Sequence, residues 1–456
     1  MVRAMRRPSV EVLLTAILAV VVTGAAMVRA RIQPEVRADP STAFDLFGTS
    51  FSAGMCVGLA GGGSGEVPGA AVPDTSSVAG VALALEDIRE LDFQDLPQPR
   101  YLPPPRMAAE VEAAFAEDYP DDEAEYDERA LVLLGAIPPD MDLKATLSGF
   151  VGEQVVGFYD PDTADLVVMG SPGPLDPVEK VTLAHELDHA LTDQVLGIPL
   201  DESPPPGEED SALAVRALAE GDATLAMSMF ASRALAAREQ FSVNLSATPE
   251  QGSVAELARF PHYLARTMLF PYLEGLLFVC GLQVEGGWAA VDAAYRAPPT
   301  TSAQILFPER FDAGEEAVDP RDPGALRAPW VRSDRSALGA ADLLFLFEAP
   351  GGNPSEALPA PLDLAAGWAG GEMHLWTRGE DSALGVALAQ RPREPRLCDS
   401  LGRWYRAAFG GSIAEPGPGE LLAVDGATQD AVLRCPGAEI RLGIGPDLAT
   451  ARALAR

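Results

Sequence analysis

The chain has 456 residues, with 67 Asp and Glu against 33 Lys and Arg, for a net charge of −34. That balance supplies no phosphate-neutralising patch and excludes nucleic acid and anionic membrane surfaces as partners. Apolar residues make up 47 %, enough for a sizeable core, and four cysteines rule out a disulfide-dense scaffold or a cysteine-rich zinc-finger array.

At the N-terminus Arg3, Arg6 and Arg7 precede an uncharged run of 17 residues, Val12 to Val28. This is the pattern of a signal peptide or a short single-pass anchor. Gly24 and Ala26 make a small-residue cleavage pair, whereas Arg29 and Arg31 favour an uncleaved anchor. Either way the expectation is export to the cell envelope or beyond, with the membrane touched only through residues 1–32. Residues 33–80, which include GLAGGGSGEVPGAAVPDTSS, read as a flexible linker, and Cys56 in SAGMC lacks the preceding small residue that lipidation needs.

The fold class expected is α+β, with a mostly helical domain over 81–350 and a small α+β domain over 351–456. LPQPRYLPPPR, residues 96–106, reads as a proline-rich joint, and helices follow on either side of Pro120 and over LKATLSGFVGEQVV. The acidic cluster from Glu117 to Glu128 lacks the glycine-centred spacing of a calcium loop and reads as a solvated helix start. GFYDPDTADLVVM reads as a hairpin around a Pro-Asp-Thr turn, a small sheet edge. Next come a helix over 178–195, an acidic proline loop at ESPPPGEED and a long apolar helix from SALAVRALAEGDATL. The apolar run LFPYLEGLLFVCGL is 14 residues, too short to span a bilayer, and reads as core. In the last hundred residues EMHLWTR, SALGVALAQ, ELLAVDG and EIRLGIGPD alternate like strands, with a helix at LCDSLGRWYRAAFG.

VTLAHELDHALTDQ carries His185, Glu186 and His189 as H-E-x-x-H. Residues four apart on a helix sit about 40° from each other, so both imidazoles can reach one ion, with Glu186 on the adjoining flank as a base. At this histidine content a chance match is expected only about 0.003 times. A catalytic zinc needs a third ligand and an open position for water. His262 and His374 fall in other regions, and the sequence after His189 lacks the metzincin extension. Glu220 in ALAEGDATLAM, 31 residues after His189, is the better third ligand, because Ala and Leu flank a carboxylate that needs a cation if buried; an exposed acid at a helix break near Gly221 is the alternative. Asp222 points about 200° away from Glu220 in an unbroken helix and cannot face the same ion. Asp193 and Thr224, each four residues after a ligand, fit as partners for the histidine N–H groups. Tyr272 and Tyr159 are candidate donors to an oxyanion. Cys398 and Cys435 share the C-terminal domain, where export permits a disulfide, and Cys280 reads as a small buried hydrophobe.

HELDH with a later glutamate on a second helix resembles the gluzincin class of zinc metallopeptidases. More narrowly, the chain resembles a poorly characterised group of exported bacterial proteins marked by that motif. The similar stretches are EQVVGFYDPDTADLVVM, VTLAHELDHALTDQ, LAVRALAEGDATL, GGWAAVDAAYRAPPTTSAQILFPERF and GWAGGEMHLW, within residues 145–376. The resemblance implies a zincin-like catalytic domain with the hairpin as the sheet edge, one Zn2+ held by His185, His189 and Glu220, and Glu186 as general base. It implies a peptide or protein substrate and hydrolysis of peptide bonds. In such relatives the position of Phe307 is often histidine, giving HPE where this chain has FPE. The rival expectations are a non-catalytic envelope protein with a structural or vestigial zinc site, and a zinc hydrolase of non-peptide amides.

Overall fold

The computed structural model describes residues 74–456 apart from 155–156, 162, 198–203, 237, 241–256, 258 and 392–395. The signal or anchor segment, nearly all of the expected linker and Cys56 lie outside the described residues. The fold is mixed α+β, with a three-stranded and a seven-stranded sheet.

Helix α1 (Val78–Arg89) starts where the Ser77 side chain accepts the Gly80 N–H, inside the stretch expected as linker. Strand β1 (Arg100–Leu102), helices α2 (Pro104–Asp118), α3 (Asp121–Leu133) and α4 (Leu143–Gln154), and strands β2 (Gly157–Asp160) and β3 (Asp165–Met169) follow. β2 and β3 are the expected antiparallel hairpin. β1, drawn from the proline-rich joint, pairs parallel with β3 and completes the order β1-β3-β2.

The helical core is built from α5 (Pro177–Leu196), α6 (Glu209–Arg233), α7 (His262–Gly286) and α8 (Trp288–Arg296), with α1 against them. α6 runs unbroken through Gly221, so no helix break follows Glu220. A Cβ on Gly221 would lie 2.3 Å from the Gly275 carbonyl, and one on Gly275 would lie 2.1 Å from the Ala217 oxygen. α6 and α7 therefore touch backbone to backbone, which no larger residue permits. α7 has 25 residues and is apolar enough to cross a membrane by length and composition. It is a core helix here, more than half buried, and its Arg266 is paired with Glu274 and Glu348 at 2.7 and 2.8 Å.

Short helices α9 (Ser302–Leu306) and α10 (Pro308–Asp312) lead to an irregular stretch, then β4 (Val331–Ala337) and α11 (Ala340–Glu348). Phe307 lies under Arg310, whose guanidinium is 4.5 Å from the ring centroid. The remaining elements are α12 (Pro361–Ala365), β5 (Trp368–Arg378), β6 (Asp381–Gln390), α13 (Arg396–Phe409), β7 (Ser412–Ile413), β8 (Leu422–Asp425), β9 (Asp430–Arg434), β10 (Glu439–Gly445) and α14 (Leu448–Leu454). The antiparallel sheet has the order β4-β5-β6-β10-β9-β8-β7 and takes in β4, ahead of residue 351. α11 joins the two cores: Leu344 and Phe345 pack into the helical one, Leu343, Leu346 and Phe347 into the sheet one. Cys398 on α13 and Cys435 after β9 are disulfide-bonded, with Cα atoms 6.4 Å apart. Cys280 is buried as expected, but it is disulfide-bonded, not a free thiol.

Candidate metal centre

Helix α5 has a well-defined start. Asp176 accepts the N–H groups of Val178 and Glu179, the Glu179 side chain accepts the Asp176 N–H in return, and Pro177 occupies the first turn. Every residue from Lys180 to Thr192 is buried, so the whole HELDH segment lies inside the core and not on an amphipathic surface helix. α6 crosses beside it and brings Glu220 to the two histidines.

The Nε2 atoms of His185 and His189 are 3.0 Å apart, His185 Nε2 is 3.1 Å from Glu220 Oε2, and His189 Nε2 is 3.5 Å from Glu220 Oε1. Ligand atoms on the corners of a tetrahedron with bonds of ~2.0 Å to its centre are ~3.3 Å apart; here Glu220 turns a different oxygen to each histidine, and one ligand atom from each of the three residues lies within 4.8 Å of the others. His185 is fully buried, Glu220 is 1 % exposed and His189 7 %. His185, His189 and Glu220 thus form a buried group that could hold a metal ion. Their own hydrogen bonding is poor: two Nε2 atoms face each other, and neither His185 Nδ1 nor Glu220 Oε1 has a hydrogen-bond partner among the described residues. Polar atoms this deeply buried are normally satisfied, and a cation at the centre would satisfy three at once.

The charges agree with that reading. Burial keeps His185 below its ordinary pKa. Burial opposes charge on His189 too, but the Glu220 carboxylate outweighs it and lifts His189 to about 9. Glu220, which burial alone would raise, is held at about 2 by the imidazoles. The site holds a carboxylate and demands a positive charge beside it.

Glu186 is 1 % exposed, and burial pushes its carboxyl up to about 8. The Tyr159 N–H on β2 donates to its Oε2 at 2.9 Å, while Oε1 is buried without a hydrogen-bond partner among the described residues. Gly157 lies against the Val167 oxygen of β3, 3.0 Å from where a Cβ would stand, and Glu186 packs over it at ordinary contact distance. The small sheet edge therefore fixes one oxygen of Glu186 and leaves the other available.

The remaining expected residues divide. Tyr272 stacks on His185, ring centroids 6.4 Å apart, and is only 3 % exposed. Burial and the charges of Glu220 and Glu186 raise its pKa and keep the phenol neutral. Tyr159 contributes its backbone, because its hydroxyl already donates to Asp193 Oδ2 at 2.8 Å. Asp193 accordingly serves Tyr159 and not a histidine N–H. Thr224 is fully buried on α6, but its hydroxyl makes no hydrogen bond to either histidine among the described residues.

A second buried cluster on the same helices was not read from the sequence. Arg89, at the end of α1, is completely buried. Its Nη2 lies 3.0 Å from Asp222 Oδ2 and 3.2 Å from Asp292 Oδ1, its Nε 3.6 Å from Asp188 Oδ1, and its guanidinium 4.2 Å from the Trp288 ring. Asp222 does turn away from Glu220, as the helical angle requires, and Arg89 is what it meets. The usable signal was Asp188 inside HELDH: it and Glu186 lie about 80° to either side of the histidine pair, so a second buried charge was due on the other flank.

No protein-family model, no curated protein and no solved structure matches the chain. The functional reading therefore rests on the residues themselves.

Proposed function

We propose that the chain is an exported zinc metallopeptidase of the gluzincin type, with His185, His189 and Glu220 as ligands and Glu186 as general base. The observation that carries this reading is the convergence of two imidazole nitrogens and the two oxygens of Glu220, at spacings of 3.0–3.5 Å, beside a second carboxylate with one tethered and one free oxygen. The donor set, two imidazole nitrogens and a carboxylate, suits zinc. When bound, zinc supplies Lewis acidity, which lowers the pKa of a water and polarises a carbonyl. Glu186, which burial holds at about 8, would ionise beside the positive charge of a bound ion, and its Oε1 would then take the proton of the attacking water and pass it to the leaving amine while the Tyr159 N–H keeps Oε2 in place. The neutral Tyr272 phenol, stacked beside the ligands and hydrogen-bonded to Glu220, would turn from that carboxylate to donate to the developing oxyanion. The disulfide state of Cys280, Cys398 and Cys435 supports an oxidising compartment and therefore export through the N-terminal segment.

Burial favours one rival: with His185, Glu186 and Glu220 at 1 % exposure or less, the site also suits a structural ion in a non-catalytic envelope protein. Metal analysis combined with a peptide library decides between them. The enzyme reading requires hydrolysis that falls at least about 100-fold in Glu186→Gln with this site's zinc retained. Unchanged hydrolysis in Glu186→Gln, or none in the zinc-loaded parent, overturns it.

A further inference from the structure

Residues 313–330 form an irregular strap between α10 and β4 that crosses one face of the seven-stranded sheet. The Val318 N–H donates to the Ala369 oxygen in β5, and the Gly324 N–H to the Leu454 oxygen at the end of α14. Arg441 on β10 donates to the Asp322 carbonyl. Two glycines make the track: a Cβ on Gly370 would lie 1.9 Å from the Val318 oxygen, and one on Gly385 would lie 2.9 Å from the Pro323 side chain. Gly385 is the register partner of His374 on β5, so the strap reaches the sheet at Pro323 directly beside His374. Asp322 precedes that proline.

Side chains at alternate positions share a face of a strand, so Glu372 and His374 project together from β5. His374 is 2 % exposed and Glu372 8 %. His374 Nε2 lies 2.5 Å from Glu372 Oε1, closer than an ordinary N–H···O bond. Both atoms are nonetheless buried without a hydrogen-bond partner among the described residues. The Asp322 carboxylate completes the group, with all three ligand atoms within 4.8 Å of one another. The other oxygen of Glu372, Oε2, is held by Arg335 Nε at 2.9 Å and Nη2 at 2.5 Å, so Oε1 alone faces the histidine.

We propose that Asp322, Glu372 and His374 form a second divalent-cation site, for zinc or an ion of similar preference, that staples the strap to the sheet. One imidazole nitrogen and two carboxylate oxygens make a zinc donor set. Arg335 orients Glu372 from outside, as partners of metal-binding carboxylates do. The ion supplies what the strap lacks: residues 313–330 have no helix or strand of their own, and a cross-link to β5 fixes them with few backbone bonds.

The test is zinc stoichiometry of the full-length exported protein after chelator dialysis, with His374→Gln and Asp322→Asn made singly and each combined with Glu220→Ala. The expected result is two equivalents in the parent, one in each single variant, one in Glu220→Ala and none in the combinations. Cleavage by trypsin at Arg321 or Arg327 should speed up about tenfold in His374→Gln, and peptide hydrolysis should persist. Asp322 is exposed, so its variant reads the site even if the histidine variant misfolds. If the HELDH site holds no zinc, the parent binds one equivalent, Glu220→Ala keeps it and His374→Gln loses it. Full parental zinc in both His374→Gln and Asp322→Asn overturns the proposal.

Discussion

Helix α6 carries three buried acids whose surroundings differ, and the differences show what a core demands of a carboxylate. Glu220 faces two imidazoles and no guanidinium or ammonium group, and its carboxylate stays ionised by drawing a proton onto His189 when no metal ion is bound. Asp222, on the other side of the helix, is paired with the buried guanidinium of Arg89. Asp210, in the first turn, has neither: it accepts the Ser302 N–H at 3.2 Å, and burial, together with the nearby Asp342 and Glu209, pushes its carboxyl up to about 7. A buried carboxylate must acquire a cation, whether metal or guanidinium, or keep its proton. The first solution leaves the coordination chemistry open, the second consumes the charge in packing, and the third makes stability depend on pH.

Removing the cation site from the first acid should have the largest effect. Glu220→Ala should lose one of the two zinc equivalents on dialysis and hydrolysis with it, and His185→Ala and His189→Ala should do the same. Full zinc and full hydrolysis in Glu220→Ala would move the third ligand elsewhere. Arg89→Met tests the second acid by stranding Asp188 and Asp222, and should destabilise by ~3–5 kcal/mol in urea unfolding at neutral pH. Adding Asp188→Asn and Asp222→Asn should recover much of that loss, and a triple variant no more stable than Arg89→Met would show that Arg89 acts by packing on Trp288 alone.

Asp210→Asn tests the third. Between the unfolded carboxyl's 3.8 and the folded value of about 7, the native state holds a proton that the unfolded chain has lost. Stability contributed by this group is therefore full below that window, falls as pH rises through it, and stays low above. The amide carries no such penalty, so Asp210→Asn should match the parent near pH 4 and exceed it at pH 8, by about 1.4 kcal/mol at most for each pH unit crossed. A gap that is constant across pH in thermal melts would refute this. The smallest effect is geometric. Gly221→Ala inserts a methyl against the Gly275 backbone and should destabilise by ~1–3 kcal/mol. It should also weaken zinc binding, since that crossing sets Tyr272 beside Glu220; an unchanged melting point would mean the helices separate freely.

Much of the candidate site could be read from the chain because it depends on helix geometry. His185 and His189 at four-residue spacing, Glu186 on their flank and Glu220 among alanines and leucines needed only the helical repeat and the desolvation of charge. The hairpin over residues 157–169 and the strands of the C-terminal sheet were legible for the same local reason, alternation around turn residues. The proline-rich joint hid β1 because a three-residue strand has almost no pattern of its own and exists only by pairing with β3.

What tertiary structure decided is what meets what across long separations. Sequence spacing orients Asp222 away from Glu220, but only packing puts Arg89 there, 133 residues earlier in the chain. Tyr159 was read for its hydroxyl, and the fold uses its N–H, because β2 lies along the HELDH helix and Asp193 takes the phenol. His374 was set aside for lying in another region, and so it does, joined there by Glu372 on its own strand and by Asp322 on a strap with no secondary-structure signal. Local periodicity fixes the direction in which each side chain leaves its element. The partner it finds depends on burial and close packing between elements, which no local window of sequence contains.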